Sequence, residues 1–222
     1  MNGAVLRGGE QWFGSGFESQ VLHKFELMKK LKLVAALNEE VHESLSQYKP
    51  LITGIGSVNA ALSLERYLSC LSPSERSDLV ILNIGTAGSF KREFRYVNIC
   101  DRFYSAPILI NTETNISEND SFVFGDYGSS IITVPFVVPG KTFMNSIGWS
   151  MLNDFDFFDM ESYALAAVCN YYKVGFFAMK VTSDSGIKSL SDFFASLGEL
   201  SIILKTNLDL FISGGSFELM SY

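Results

Sequence analysis

FDMESYALAAVCNYYKVGFFAMKVTSDS, residues 158–185, decides the fold of this chain. From Glu161 to Tyr172 the apolar residues Leu165, Ala166, Val168 and Cys169 recur at helical spacing. Gly175 then restarts the chain in Phe176, Phe177, Ala178, Met179 and Val181, a short apolar run of the kind that forms a strand buried on both faces. Such a strand belongs in the middle of an α/β sheet, and sheets of that class bind ligands just beyond the carboxyl ends of their strands. Thr182, Ser183 and Asp184 occupy that place. At the other end Asp159 and Glu161 flank Met160 where the helix starts; an acid there is first of all ordinary helix-dipole chemistry.

Working outward, Leu31–Leu37 is a buried-strand pattern, and Asn38-Glu39-Glu40-Val41 opens a helix with Asn38 as its N-cap. Leu51–Ile55 forms a second strand that runs through Gly54-Ile55-Gly56 into a helix over Asn59–Leu71. A strand, a Gly-x-Gly turn and a helix invite a dinucleotide-binding reading, but that reading needs an acid at the end of the following strand. Leu79–Asn83 ends in Asn, which argues against it. Gly85-Thr86-Ala87-Gly88-Ser89 reads as another strand-end turn, whose small residues let a ligand approach the main chain closely. Tyr96–Cys100 and Ile131–Val138 supply further strands, and Phe103, Tyr104 and Phe122 are candidates for pocket lining or core. After Pro139-Gly140, the run Lys141-Thr142-Phe143-Met144-Asn145 puts a ring near a helix start. The last helix spans Ser191–Ile212 with Phe194, Leu197, Leu200, Ile203, Leu204 and Leu208 as a core stripe, and the tail Ser213–Tyr222 reads as loose.

At 222 residues the chain suits one α/β domain burying about 70% of its unfolded surface. Lys plus Arg total 17 against 24 Asp plus Glu, a net charge of −7, so a nucleic-acid partner is not expected and a small molecule is. Cys70, Cys100 and Cys169 cannot all pair and lack metal-ligand spacing; they read as reduced core thiols of a cytosolic, cytoplasmic protein. No apolar run approaches the ~18 residues of a membrane span, and no signal-peptide order opens the chain. Residues 1–27 are rich in Gly and polar residues and precede Met28-Lys29-Lys30, which reads like a natural start. They are expected to be a leader outside the fold, with the domain over residues 28–222.

Six segments together carry a family resemblance: AALNEEV (35–41), TGIGSVNAA (53–61), NIGTAGSF (83–90), GKTFMN (140–145), DMESYALAAVC (159–169) and TSDS (182–185). In that order they resemble the nucleoside phosphorylase/nucleosidase superfamily, most closely the 5′-methylthioadenosine/S-adenosylhomocysteine nucleosidases. The resemblance implies a single-domain, three-layer αβα fold around a mixed, partly barrel-like sheet. It implies that Asp184 protonates or hydrogen-bonds purine N7 with support from Ser183, and that Glu40 orients and activates the attacking water. Glu161 would grip the ribose hydroxyls, with Met160 packed under the sugar. Phe143 would stack on the base while the Met144 backbone reads its edge, and Thr86, Ala87 and Gly88 would border the substrate. Thr86 stands for the family's serine and Lys180 for an arginine near the water; Leu37 stands where a methionine often borders the 5′ pocket. No cofactor and no metal is implied, and a homodimer is.

The chemistry explains these residue types. Breaking an N-glycosidic bond builds positive charge on the ribose and negative charge on the departing base. An acid at N7 neutralises the leaving group and contributes about 10²–10⁴-fold as a general acid, provided burial keeps it protonated. A second carboxylate aligns water and offsets the oxocarbenium charge. Hydrolysis is expected over phosphorolysis, because the turns around Gly54 and Gly85 contain no Arg to grip phosphate. A futalosine hydrolase-like nucleosidase, a purine nucleoside phosphorylase and a non-catalytic nucleoside-binding or storage protein are the alternatives.

Overall fold

The computed structural model describes residues 30–106, 121–126, 128–135, 138, 141–146, 150–184, 190–213 and 218–219, apart from the side chains of Thr142, Phe143, Ser146, Asp184, Leu190, Glu218 and Leu219. The leader expected over residues 1–27 lies outside these. The described strands are β1 (Lys30–Ala35), β2 (Leu51–Ile52), β3 (Leu79–Gly88), β4 (Val97–Cys100), β5 (Arg102–Ser105), β6 (Ser121–Val123), β7 (Ser130–Thr133), β8 (Phe157–Asp159), β9 (Gly175–Asp184) and β10 (Glu218–Leu219). The helices are α1 (Ser57–Ser69), α2 (Pro73–Ser77), α3 (Lys141–Ser146), α4 (Ser162–Tyr172) and α5 (Leu190–Ser213).

All ten described strands join one mixed sheet, in the order β10-β1-β3-β8-β7-β5-β6, with β2 beside β1 and β9 joining β3 to β4. The centre is β3 against β9, parallel from Val80↔Gly175 to Ala87↔Thr182, after which the register slips so that Gly88 meets Asp184. At that slip β8 crosses antiparallel to β3, Gly88 opposite Phe158. The sheet branches at β3 and stays open, where partial barrel closure was expected.

Alternation along β9 builds the three layers. Phe176 and Ala178 face α1 and α4, packing with Ile81, Phe103, Leu64, Leu68 and Leu165. Phe177, Met179 and Val181 face α5, packing with Leu82, Ile84, Leu200, Leu204 and Leu208. A smaller cluster of Val134, Val138, Met144, Leu152 and Phe158 closes the region of the β8 crossing.

Several local expectations are corrected. Gly85-Thr86-Ala87-Gly88 is not a turn but the last part of the ten-residue β3. The helix expected from Asn38 is a 3₁₀ turn over Asn38–Glu40 with Leu37 at its N-cap position, followed by a second over Glu43–Tyr48. In the tail, Glu218–Leu219 pairs parallel with Lys30–Leu31 instead of hanging free. Phe194 leaves the core stripe of α5 and is 50% exposed, and of the three cysteines expected in the core Cys70 is exposed at the end of α1 while Cys100 and Cys169 are buried.

Candidate active site

The carboxyl ends of β1, β3 and β9, the turn after β2 and the start of α4 surround a cavity of about 140 Å³. Its walls include Ala36, Leu37, Ile55, Val134, Val138, Phe158, Phe193 and Phe194, and its polar groups come from Glu40, Thr86, Asp159, Glu161 and Ser183. Apolar walls with few convergent polar groups are the usual make-up of a small-molecule site.

Glu40 enters from the 3₁₀ turn after β1. Its Oε1 accepts from the Thr86 N–H at 2.8 Å and the Thr86 hydroxyl at 2.7 Å. Oε2 accepts from the Leu37 N–H at 3.2 Å, which steers the side chain back over the turn that the Glu40 N–H closes on the Leu37 carbonyl at 3.3 Å. Gly85 makes the approach possible: a Cβ there would lie 2.9 Å from Glu40 Oε1. Gly88 plays the same part for Phe158, whose ring occupies the space a side chain would take.

Glu161 sits just before the first turn of α4. The Gly56 N–H donates to its Oε1 at 2.7 Å and the Met160 N–H to its Oε2 at 3.3 Å, while the Ser57 hydroxyl donates to the Met160 carbonyl at 2.8 Å. Gly56 reaches this position at φ +93°, a left-handed value suited to glycine. The starts of α1 and α4 are thus stapled together. Burial pushes the Glu161 carboxyl up to about 7, with the neighbouring Asp159 charge adding to the effect and Lys180 opposing it.

Asp159 is the most heavily bonded group of the site. Its Oδ1 accepts from the Thr133 hydroxyl at 2.8 Å and from the Ser162 N–H at 3.2 Å, its Oδ2 accepts from the Ser162 hydroxyl, and Lys180 Nζ lies 3.1 Å from Oδ2. Lys180 is itself buried on β9. Burial alone would pull its ammonium down, but Asp159, then Glu161 and Glu40, outweigh that and hold it above its ordinary value.

Of the residues singled out in the sequence, Leu37, Glu40, Thr86, Ala87, Gly88, Met160, Glu161 and Ser183 line this one cavity. Lys180 is beneath it, tied to Asp159. Met144 is buried among Val138, Leu152 and Phe158. Phe143 lies in α3 and Asp184 ends β9 opposite Gly88, but both side chains fall outside the described residues. Sequence reasoning missed the lining residues Ile55, Val134, Phe158, Phe193 and Phe194. Aromatic doublets at Phe157-Phe158 and Phe193-Phe194, each beside an element boundary, were the available signal.

The chain has the nucleoside phosphorylase/nucleosidase fold. Within that fold it aligns with methylthioadenosine/S-adenosylhomocysteine nucleosidases and with futalosine hydrolase. The 5′-methylthioadenosine/S-adenosylhomocysteine nucleosidase of Staphylococcus carnosus (strain TM300) is 27% identical over 165 residues, which are 60% of this chain and 66% of that protein's length. The Helicobacter pylori enzyme of the same name, solved with butyl-thio-DADMe-Immucillin-A, superposes with a TM-score of 0.63 at 15% identity, covering 85% of this chain and 99% of that one. Futalosine hydrolase of Helicobacter pylori strain 26695 gives 0.63 at 14% identity, covering 86% and 99%. No family model matches the chain.

Proposed function

We propose that the protein is a purine nucleosidase that hydrolyses the N-glycosidic bond of 5′-methylthioadenosine or S-adenosylhomocysteine-type nucleosides, releasing adenine and the 5′-substituted ribose. The observation that carries the reading is a pair of buried carboxylates, Glu40 and Glu161, brought from distant parts of the chain to the wall of one largely apolar cavity. Glu161 takes the ribose diol through hydrogen bonds that strengthen as the sugar becomes cationic. Glu40 has Oε1 committed to Thr86 and keeps acceptor capacity on Oε2 for a water. That water attacks the anomeric carbon as the bond to the base breaks, and the carboxylate offsets the charge that develops on the sugar. Asp184 supplies the proton at N7, and Phe158, Phe193 and Phe194 offer surface for the base and the 5′ group.

Water is favoured over phosphate as nucleophile because no Arg or Lys stands among the described lining residues. Lys180, buried on β9, is paired with Asp159. A phosphorylase would need a free cationic fork at this place.

The decisive assay incubates the protein with methylthioadenosine, with and without phosphate, and follows free adenine and the sugar product. Phosphate-independent release of adenine and methylthioribose is expected; a phosphate-dependent ribose phosphate refutes hydrolysis. Failure to release base from any 6-aminopurine nucleoside, with turnover of futalosine, selects the futalosine hydrolase reading, which the equal TM-score of that neighbour favours next. Binding without turnover of either would mark a storage or carrier protein. Release of adenine in this way fits a role in methionine salvage.

We further assign the protein to the cytosol, in keeping with its free Cys70, Cys100 and Cys169, and to a homodimer. Ile55, Val58 and Leu62 before and on α1 and Tyr171 on α4 are exposed apolar residues, Val58 72% and Tyr171 78% exposed, of the kind a second subunit would cover. Sedimentation equilibrium tests it; a single species of 24.6 kDa refutes the dimer.

A further inference from the structure

Three buried carboxylates crowd one buried ammonium at this site. Lys180 and Gly85 are cross-strand partners on β9 and β3, so the two positions share a face of the sheet. Gly85 has no side chain, and the space is taken by the Glu40 carboxylate. On its other side Lys180 meets Asp159 at 3.1 Å. Asp159 in turn receives the Ser162 N–H, and also the Glu161 N–H at 3.4 Å, so its carboxylate organises the backbone that carries Glu161. Thr133 completes the connection: its hydroxyl donates to Asp159 and accepts from the Tyr163 N–H at 2.8 Å.

We propose that Asp159 and Lys180 are positioning residues of this site, a buried ion pair that fixes Glu161 at the cavity's rim and apportions a single ammonium among Asp159, Glu161 and Glu40. The reading of Glu161 as the ribose-holding group rests on the nucleosidase function proposed above, whereas the charge arrangement does not. Asp159 takes the closest share of the ammonium, so Glu161 is left with two backbone N–H donors and a neighbouring negative charge. Burial first, and then the Asp159 charge, raise the Glu161 carboxyl to about 7, with Lys180 opposing them. The charged groups that face it among the described side chains are Asp159 from β8, Lys180 from β9 and Glu40 from the turn after β1.

The two halves of the pair have opposite expected effects, which an ordinary structural role does not. Asp159→Asn removes the competing anion and turns the ammonium toward Glu161 and Glu40, so Glu161 ionises more readily. Lys180→Gln removes the cation, and Glu161 keeps its proton to higher pH. The experiment is a carboxyl ¹³C NMR titration of the full chain labelled at glutamate, the Glu161 signal being the one lost in Glu161→Gln. A midpoint of about 7 is expected for the unaltered protein. It should fall by about one pH unit in Asp159→Asn and rise by about one in Lys180→Gln, the size of effect a neighbouring charge produces in a buried setting. Lys180→Arg, which restores the cation, should return it.

Midpoints that stay put in both variants, or that move in the same direction, overturn the proposal. If Lys180→Gln does not fold by circular dichroism, the sign of the shift in Asp159→Asn decides alone. The titration uses no substrate, so it separates the two readings. Absence of adenine release from the unaltered protein would remove the nucleosidase assignment and leave the charge arrangement to stand or fall on its own measurement.

Discussion

Gly85→Ala tests how tightly the water-side carboxylate must be held. The new Cβ would sit 2.9 Å from Glu40 Oε1, 3.1 Å from Cδ and 3.2 Å from Oε2. To regain ordinary contact at about 3.5 Å the carboxylate must retreat by roughly half an ångström. Its bonds to the Thr86 N–H and hydroxyl, now 2.8 and 2.7 Å, would lengthen toward the limit of about 3.2 Å for useful hydrogen bonds. Hydrogen bonds to charged groups contribute about 1.5–3 kcal/mol each, so weakening the pair costs about 1–3 kcal/mol of positioning. At about 1.4 kcal/mol per decade that is a tenfold to hundredfold loss in kcat. KM should change less than about threefold, because Glu161 and the apolar walls are untouched. The assay is steady-state release of adenine from methylthioadenosine, with circular dichroism to show that the variant is folded. A folded Gly85→Ala protein with kcat within about twofold of the parent would refute the placement of Glu40 as the group that aligns water, since such alignment is sensitive to displacements on the order of 1 Å.

Three further outcomes are expected. Asp184→Asn should remove most turnover while leaving nucleoside binding by calorimetry within roughly tenfold, as for a group acting mainly in the transition state; unchanged turnover would exclude it as the acid. Glu161 protonates at about 7 in the folded chain, above its unfolded value. The folded state therefore binds the extra proton, and its stabilising effect is full below about 4.5 and lost as pH rises to about 7, roughly 3 kcal/mol in all. Urea titrations from pH 4.5 to 8 should show that slope and its absence in Glu161→Gln; equal slopes would contradict it. Gly88→Ala would place a Cβ 2.0 Å from the Phe158 ring, an overpacking expected to cost about 1–3 kcal/mol and lower the melting temperature by several degrees, about 2–4 °C per kcal/mol; no change in melting temperature would contradict the tight β3–β8 crossing.

What could be read from the sequence follows the range of the interactions involved. The strand through Phe176–Val181 and the helix before it were legible because burial writes itself into consecutive apolar residues. The end of β3 was not. Gly85 and Gly88 carry the local signature of a turn, yet β9 pairs with the strand through both; Glu40 and Phe158 press against the main chain there, and Gly85 also holds φ +158°, which side chains rarely adopt. Glu40 could be named by resemblance, but that its turn is 3₁₀ rests on the backbone bonds from the Glu40 N–H to the Leu37 carbonyl and from the Val41 N–H to the Asn38 carbonyl, which spacing does not disclose. The two-residue β10 has too little sequence to signal a strand and exists through its pairing with β1. Phe194 falls on the helical stripe by spacing alone, whereas in the fold it is half exposed and lines the cavity beside Phe193. Lys180, taken from the sequence as a group near the water, is drawn inward by an aspartate twenty-one positions earlier, a partnership that spacing alone does not disclose.

The staple between the starts of α1 and α4 also bears on how the chain folds. Gly56 and Glu161 are 105 positions apart, and Ser57 and Met160 are 103 apart. Closing loops of that length gives up chain entropy before any contact repays it. The pairing of β3 with β9, Val80 opposite Gly175, spans a comparable separation, so the cavity and the centre of the sheet are both non-local structures that form together. During refolding, ligand binding should return with the slowest phase and not with the first appearance of helix. A ligand at this place grips both ends of that 105-position loop and, by mass action, favours its closed state.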